Sequence, residues 1–461
     1  ESGGNYNVAI GDEAGTAITT GDNNVAVGYA ALDANSTGHS NVAVGTNALS
    51  ANITHVANTM VGYQAGLSTV ADANTFVGYQ CGQTTTTGTN NTALAVNALY
   101  SNTSGSNNTA IGREALYSNT TASGNVAVGY QALDANTTGT SNVAFGIGAL
   151  GANTTASNNS AFGATSLDAN TTGTQNNAFG VNALTANTTA SYNSAFGTSA
   201  LGTNTTGASN SAFGQTALTA NTTGYANTAV GASAQAATTT GVNNTAVGAS
   251  ALDALTTSHN NTAVGTSALG ATTTGAQNVA LGTSAGASLT TGNYNVLIGY
   301  NSQLAAVGDN NEIVIGISSA TGKGSDTGFI APGGGAMYNG QNSTVWVATS
   351  DRRIKKDIVP NTKGLAAINQ IEPKNFYYKS NEELQEEMPG AKEDLPLNKL
   401  TTSAIAQELD LIFPEAIERR GEHDIMSVNT DPIFWSMINA IKELSKELDE
   451  LKQWKKDYTS D

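Results

Sequence analysis

The chain has 461 residues, a formal net charge of −17 and only 11% charged residues. This balance argues against nucleic acid as a partner, because phosphate binding requires clustered lysine and arginine side chains. One cysteine, Cys81, excludes an intrachain disulfide framework. No apolar stretch approaches the roughly 20 residues that span a bilayer, so we expect no membrane insertion in this chain.

The composition changes sharply near residue 350. Residues 1–349 carry two basic and 13 acidic residues, whereas residues 350–461 carry 16 basic and 22 acidic residues. All seven prolines and all three tryptophans lie at or beyond Pro332. Two different kinds of protein are therefore joined, and because the chain opens within a repeat motif, we expect an attachment segment to precede it.

Residues 5–316 repeat the motif Asn-x-Ala-hydrophobic-Gly with a period of 17, apart from one 16-residue step between Gly62 and Gly78. Ala95 replaces the glycine once. The motif occurs in 19 registers, and its glycines are Gly11, Gly28, Gly45, Gly62, Gly78, Gly112, Gly129, Gly146, Gly163, Gly180, Gly197, Gly214, Gly231, Gly248, Gly265, Gly282, Gly299 and Gly316.

Each repeat has an apolar residue directly before the glycine and, in most coils, a leucine four residues after it. Two apolar positions in 17 residues cannot build an independent core, but stacked identical coils cover one another's apolar faces. Helical repeats need more than 30 residues. The sequence therefore predicts a mainly β fold, a β-solenoid shaft of 17-residue coils that is roughly 90 Å long at a strand spacing of about 4.8 Å.

The alanine that recurs two residues before the glycine leaves no room for a large side chain. We expect another chain to pack against it, because a thin coil with so little apolar surface is marginal alone and three coils can share a core. The sequence therefore favours a homotrimer. Five consecutive repeats place phenylalanine before the glycine, which predicts a ladder of Phe145, Phe162, Phe179, Phe196 and Phe213.

One stretch breaks the pattern. Met60 and Phe76 occupy the alanine position, the 16-residue step lies between them, and Ala95 and Cys81 lie nearby. Two interpretations stay open, a local repacking of the coil and a bend or exposed ligand-binding patch.

The repeat resembles the β-roll heads of trimeric autotransporter adhesins, which stack short NSVAIG-like coils. The resemblance covers residues 5–316, and the period of 17 is longer than is usual in that family. It implies a trimeric β-roll.

The sequence from residue 350 alternates charged and apolar residues and contains three distinctive blocks, at 349–358, 403–417 and 426–452. The last block has apolar residues at 4-3-4-3 spacing, which predicts a helix with a short coiled-coil seam. The seam residues are Met437, Ile441, Leu444, Leu448 and Leu451.

These blocks resemble, in order over residues 350–452, the intramolecular chaperone domain at the C-terminus of phage endosialidases, tailspikes and tail fibres. The resemblance implies an α+β domain that trimerises, templates the fibre and then cuts itself off. It places the scissile bond at Thr349–Ser350, with Ser350 as nucleophile and Lys355 as general base. The chain is then at most a single-turnover self-cleaving serine peptidase.

The chemistry is reasonable because a serine hydroxyl needs a base and burial lowers the pKa of a lysine. The simpler alternative is that Ser350 only begins a strand and Lys355 is a surface charge. Lys356 is an alternative base.

Residues 317–349 form a glycine-rich junction without the repeat, in which Phe329, Tyr338 and Trp346 are candidate binding residues of a distal tip. A plain connecting knob is the alternative. The predicted domains are thus a shaft at 1–316, a junction at 317–349 and a chaperone domain at 350–461.

The leading functional prediction is a receptor-binding trimeric fibre, either a phage tail fibre or a bacterial surface adhesin, on a virion tail or a cell surface. Its partner would be a cell-surface receptor or glycan. The alternative is a polysaccharide-degrading tailspike, which needs paired carboxylates; the candidates recur five residues after the glycine, at Asp33, Asp134, Asp168 and Asp253. An ice- or crystal-binding threonine array is a third reading. We expect no cofactor and no metal bound by protein ligands.

Overall fold

The computed structural model describes residues 4–332, 337–340, 347–348, 356–380, 382–383, 386, 400–420 and 425–459. The chain forms two compact units, Glu1–Thr349 and Ser350–Asp461.

The first unit is a stack of short parallel strands, each contributed by one coil of the repeat. Strands β1 to β19 are Val8–Ile10, Val25–Val27, Val42–Val44, Thr59–Val61, Thr75–Val77, Thr92–Leu94, Thr109–Ile111, Val126–Val128, Val143–Phe145, Ser160–Phe162, Asn177–Phe179, Ser194–Phe196, Ser211–Phe213, Thr228–Val230, Thr245–Val247, Thr262–Val264, Val279–Leu281, Val296–Ile298 and Ile313–Gly316. Three more strands follow: β20 (Gly328–Ala331), β21 (Met337–Asn339) and β22 (Val347–Ala348).

Consecutive strands pair one period apart, so that identical positions stack. Val25 pairs with Val42, Ala26 with Ala43, and this register continues along the stack. The predicted phenylalanine ladder is present, with successive ring centroids 4.6–6.0 Å apart and nearly parallel planes. The predicted fold class, a mainly β solenoid of 17-residue coils followed by a C-terminal helix, is confirmed.

The alanine at the centre of most shaft strands faces the interior of its own coil. Ala26, Ala43 and Ala110 are fully buried within the single chain, whereas the residues on either side point outward because side chains alternate along a strand. The expectation that another chain packs against this alanine is therefore wrong. Its close neighbours are the coil's own interior residues, which include the leucine four residues after the glycine, such as Leu32.

The first residue of the motif builds a buried asparagine ladder. The backbone N–H of Asn41 donates to Asn24 Oδ1 at 3.0 Å, and Asn24 Nδ2 donates to the Gly38 carbonyl at 2.9 Å. The same two bonds recur coil after coil as far as Asn295. A buried amide without partners costs several kcal/mol, so this ladder satisfies the buried asparagine side chains and also fixes the register.

A second buried asparagine column lies seven residues after the glycine. Asn119 Nδ2 donates to Asn102 Oδ1 at 2.9 Å and to the Ala122 carbonyl at 3.1 Å. This column runs from coil 2 to coil 13, except in coils 4 and 5, where threonine takes its place, and it turns the chain at the corner before the threonine pair.

The irregular stretch is a local repacking, and the strand stack passes through it unbroken. In the coils of Met60 and Phe76, glycine replaces the interior leucine that lies four residues after the repeat glycine. A Cβ at Gly66 would contact the Met60 thioether, and a Cβ at Gly82 would collide with the Phe76 ring. The 16-residue coil has lost one turn residue, because Asn58 Nδ2 bonds the carbonyl 13 positions on instead of 14. The free thiol of Cys81 replaces an interior alanine, and burial raises its pKa to about 12.

The sheet continues past residue 316. Strand β20 pairs in parallel with β19, and β21 and β22 add in antiparallel. Glu312 ends the asparagine ladder: its N–H donates to Asn295 Oδ1 at 2.9 Å, and its buried carboxylate accepts from the backbone N–H groups of Lys323 and Gly324. A carboxylate only accepts hydrogen bonds, which suits the end of a ladder where loop N–H groups converge.

The second unit contains three α-helices, a 3-10 helix and two antiparallel strand pairs within its described residues. The helices are α1 (Leu365–Ile368), α2 (Ala406–Asp410) and α3 (Asp431–Tyr458), and the 3-10 helix is Pro414–Ala416. Strand β23 (Lys374–Phe376) pairs with β24 (Thr401–Ser403), and β25 (Ile417–Arg420) pairs with β26 (Ile425–Val428). Its small core centres on Leu409, Phe413 and Ala416.

Candidate cleavage and assembly site

The predicted cleavage residues lie just before the described part of the second unit. Thr349, Ser350 and Lys355 are outside the described residues, so their assignment stays a prediction. Lys356, the alternative base, is described and exposed.

Of the predicted tip residues, Phe329 is only 6% exposed and belongs to the core of the shaft. The Lys323 ammonium lies 4.8 Å from the centre of its ring. The backbone of Tyr338 lies in β21, opposite Phe329, while its side chain and Trp346 lie outside the description. Phe329 is thus not presented to a partner in the single chain.

The seam of helix α3 is exposed along its length. Met437 is 42% exposed and Ile441 61%, and the seam continues through Leu444, Leu448 and Leu451 at about half exposure. An apolar row at heptad spacing is typical of a helix that packs against other helices.

A different face of α3 holds residues 361–365, here called the anchor segment. Asn439 Nδ2 donates to the carbonyls of Asn361 at 2.9 Å and Lys363 at 3.1 Å. The Leu365 N–H donates to Glu443 Oε2 at 2.6 Å. A Cβ at position 364 would collide with this carboxylate, so Gly364 is what allows the approach.

The anchor segment is also fixed by its own side chains. Asn361 Nδ2 donates to the hydroxyl of buried Ser436 at 3.1 Å. Lys363 Nζ donates to the Ile412 carbonyl and to Glu415 Oε2, and it lies 4.6 Å from the centre of the Phe413 ring. The chain entering the second unit is therefore tied to both α3 and the small core.

Sequence reasoning did not find these anchor contacts. Asn439 and Glu443 look like ordinary polar positions of an amphipathic helix, and their partners lie 76–78 residues earlier in the chain. The one available signal was Asn439 itself, a polar residue between Ile438 and Ala440 on a helix whose neighbouring positions are apolar.

Two of the shaft's candidate carboxylates converge across coils. A Cβ at Gly151 would lie 2.7 Å from Asp168 Oδ1 and 3.6 Å from Asp134 Oδ1, so both carboxylates border the space above this glycine. Burial raises the pKa of each carboxyl, and the charges of Asp168 and Glu114 add to the effect at Asp134. Asp33 and Asp253 occupy the same column on distant coils, and burial raises their pKa values as well.

Among the described residues, no group of three or more histidine, cysteine, aspartate or glutamate side chains is placed to hold a metal ion. Within the same part of the chain, no helix has the length and apolarity needed to cross a bilayer.

Comparison with known proteins gives a family match within the C-terminal unit. Residues 350–418 match the family described as chaperone of endosialidase, and the match begins at Ser350. No similar curated protein or solved structure was found. The family match and the β-solenoid together fit a fibre whose C-terminal domain aids folding.

Proposed function

We propose that this chain is a trimeric receptor-binding fibre, a phage tail fibre or a bacterial surface adhesin, whose C-terminal domain drives its trimerisation and folding and then cleaves before Ser350. The observation that carries the proposal is the junction of a 19-coil shaft with a domain that matches chaperone of endosialidase from Ser350 onward. The setting would be a virion tail or a cell surface, and the target a receptor or glycan.

The outer face of the strand stack supports a trimer. The residue before the glycine points outward in every coil and is always apolar, and Phe145, Phe213 and Leu281 are 41–50% exposed in the single chain. A continuous apolar stripe of this length is unusual on a monomer. Another copy of the chain matches its 17-residue spacing coil for coil, so three copies packed by this stripe would share one core.

The C-terminal helix supports assembly from that end. Stacked identical coils invite register errors, since one coil can pair with the wrong coil of a neighbouring chain. Trimerising first through the α3 seam would fix the register and raise the effective concentration of the three shafts.

The proposed cleavage is a single turnover on the chain's own backbone. The Ser350 hydroxyl attacks the Thr349 carbonyl carbon while Lys355 takes its proton. The Thr349–Ser350 C–N bond breaks, the proton passes to the leaving amine, and water hydrolyses the resulting ester to a Thr349 carboxylate. Loss of the chaperone would leave the shaft kinetically trapped and resistant to unfolding.

Intact-mass spectrometry of the purified full chain tests this proposal. We expect a shaft ending at Thr349 and a released fragment beginning at Ser350, with native mass spectrometry giving a trimeric shaft. Ser350→Ala and Lys355→Ala chains should stay full length and trimeric. Removal of residues 350–461 from the gene should give insoluble shaft.

Two results would contradict the proposal. A wild-type chain that stays full length on long incubation would exclude cleavage. A soluble, correctly assembled trimer made without residues 350–461 would exclude the folding role.

Polysaccharide degradation is the second candidate function, and the convergence of Asp134 and Asp168 over Gly151 is the observation that favours it. Glycosidases use two carboxyl groups about 5–9.5 Å apart. Release of reducing ends from a capsular polysaccharide by the purified shaft, lost in Asp134→Asn and Asp168→Asn, would establish it.

A further inference from the structure

We infer that the phenylalanine ladder of one chain packs beside the small residues that begin the same strands in a neighbouring copy. The interface between shafts is then complementary in size, and this complementarity aligns the copies in register. The inference rests on the proposed trimer and names the part of the shaft surface through which its copies recognise one another.

Two columns of side chains cover the outer face of the strand stack. The strand-start column is the first residue of each shaft strand, and the strand-end column is the third, directly before the repeat glycine. Val25 and Val27, on either side of buried Ala26, are one such pair and are half-buried. Because side chains alternate along a strand and each strand pairs in register with the next, both columns run along the outside of the stack.

Residue sizes in the two columns change together. In the 19 registers, the strand-start column is valine, threonine or isoleucine except in β10 to β13, where it is Ser160, Asn177, Ser194 and Ser211. Each of these four strands ends in phenylalanine, whereas the other strands end in valine, isoleucine or leucine apart from Phe145, which follows Val143. A small first residue thus occurs only in strands that end in a large one.

The four rings form a continuous wall beside these small residues. Their centroids are 4.6–4.9 Å apart and their planes lie within 8° of parallel. In the single chain, Phe213 is 41% exposed and the other three are half-buried. The chain therefore presents an apolar wall and, next to it, a strip of small polar residues, and an apolar surface of this kind is typical of an interface.

Threefold symmetry explains why the two columns would exchange sizes. In a closed ring of identical chains, a patch on one chain meets a different patch on the next. With the outer face turned toward the axis, the strand-end column of each chain lies beside the strand-start column of its neighbour. Phenylalanine then lies beside serine or asparagine in β10 to β13. Without the small residues these four coils would be overpacked, which destabilises an interface.

The block also distinguishes the correct register from a slipped one. A neighbour slipped by one coil in one direction would place Phe213 beside Thr228, which overpacks the interface. Slippage in the other direction would leave a cavity between Val230 and Ser211. Both defects cost stability, whereas the more uniform valine and threonine coils on either side of the block accept a slip more easily.

Two complementary variant chains test the inference, each made as Ser350→Ala with its own affinity tag. The first enlarges the strand-start column and the second reduces the strand-end column. The first carries Ser160→Val, Asn177→Val, Ser194→Val and Ser211→Val, and the second carries Phe162→Val, Phe179→Val, Phe196→Val and Phe213→Val. Alone, the first chain places phenylalanine beside valine at every interface, and the second leaves cavities. In a mixed trimer, all but one interface is restored.

Native mass spectrometry of the co-expressed chains counts the mixed trimers. We expect several-fold enrichment over random association, and mixed trimers that survive heating to a temperature at which both homotrimers dissociate. Chains that are insoluble alone and soluble together would show the same rescue. If each chain instead accommodates its phenylalanines by itself, mixing restores nothing, and a random distribution of the two chains would overturn the inference.

A change in one coil keeps the test decisive where four changes prevent folding. Ser194→Val should lower the melting temperature of the trimer by a few degrees, because it meets a partner's phenylalanine. Thr262→Val, in the same column outside the block, is the matched control and should change it little. Equal shifts from the two variants would also contradict the inference.

The wild-type oligomeric state separates this inference from the proposed function. A monomeric Ser350→Ala chain would remove the proposed trimer and the inference together. A trimeric Ser350→Ala chain whose two variant forms mix at random would leave the proposed fibre intact and remove only the size-complementary interface.

Discussion

In two coils of the shaft, a large and a small interior residue have exchanged positions. A typical coil pairs an alanine in its strand with a leucine four residues after the glycine, and two coils exchange these sizes. Phe76 is fully buried beside Gly82, and Met60 beside Gly66. Since protein interiors are packed like organic crystals, we expect the effects of substituting the two residues of each pair on the free energy of unfolding to be coupled.

A double-mutant cycle at Phe76 and Gly82 tests this coupling. Phe76→Ala should destabilise the chain by about 3–5 kcal/mol through the cavity it leaves, and Gly82→Leu should destabilise it by collision with the Phe76 ring. The double variant restores the alanine and leucine of a typical coil. The backbone of Gly82 already has a left-handed φ of +58°, and Leu99 has a similar φ of +55° at the same position of its coil. We expect its denaturation midpoint to return close to that of the wild type. Additive losses would contradict the exchange.

Within the stack of coils, the hydrogen bonds of the asparagine ladder, rather than apolar burial, fix the register of one coil on the next. In the tenth coil, Asn159 Oδ1 accepts from the Asn176 N–H at 3.0 Å, and Asn159 Nδ2 donates to the Gly173 carbonyl at 2.9 Å. Every register from Asn7 to Asn295 has an asparagine at this position, so the ladder is as continuous as the sheet beside it.

Asn159→Ala should therefore cost about 1–3 kcal/mol per chain, because it leaves the buried N–H of Asn176 without its acceptor and removes one of the two donors to the Gly173 carbonyl, which keeps the bond from Asn170 Nδ2. Thr155→Ala, an exposed change in the preceding turn, is the control and should be within about 0.5 kcal/mol of wild type. Guanidinium denaturation followed by circular dichroism measures both. An equal effect from the two changes would mean that the ladder does not stabilise the coil.

The 17-residue period predicted the strand positions and their stacking, because a strict repeat allows only one register. It did not predict which side of the strand faces inward. A three-residue strand such as Val25–Val27 is apolar on both faces, so the alternation of side chains does not show which face is buried. The asparagine ladder does, because the buried asparagine two residues before Ala26 lies on the same face of the strand. The glycines at 66 and 82, which make room for the large side chains, could have been recognised in the sequence because they lie in the same coils as Met60 and Phe76. The anchor contacts of α3 were not, since nothing in a helical heptad identifies a partner segment 78 residues away.

The shaft has few charged residues for its length, and the half-buried carboxylates among them make its stability depend on pH. Burial raises the folded-state pKa values of Asp134 and Asp168 above their ordinary value of 3.8. Below that value both carboxyls are protonated in the folded and unfolded chain and have no effect. As the pH rises through the raised pKa, each must ionise in a poorly solvated site, so their contribution destabilises the shaft at neutral pH.

Asp134→Asn and Asp168→Asn should therefore raise the melting temperature at pH 7 and leave it almost unchanged at pH 3, where the wild-type carboxyls are already neutral. The double variant should gain less than the sum of the two, because removing either charge also relieves its partner across Gly151. Asp12→Asn, at an exposed position of the first coil, is the control for the change in net charge and should shift the melting temperature little at either pH. Thermal denaturation of the Ser350→Ala chain, which stays in one covalent form throughout, provides the measurement. An increase in melting temperature that is equal at both pH values would show that the effect comes from packing of the amide. A decrease at pH 7 would mean that the two carboxylates stabilise the shaft in their charged form.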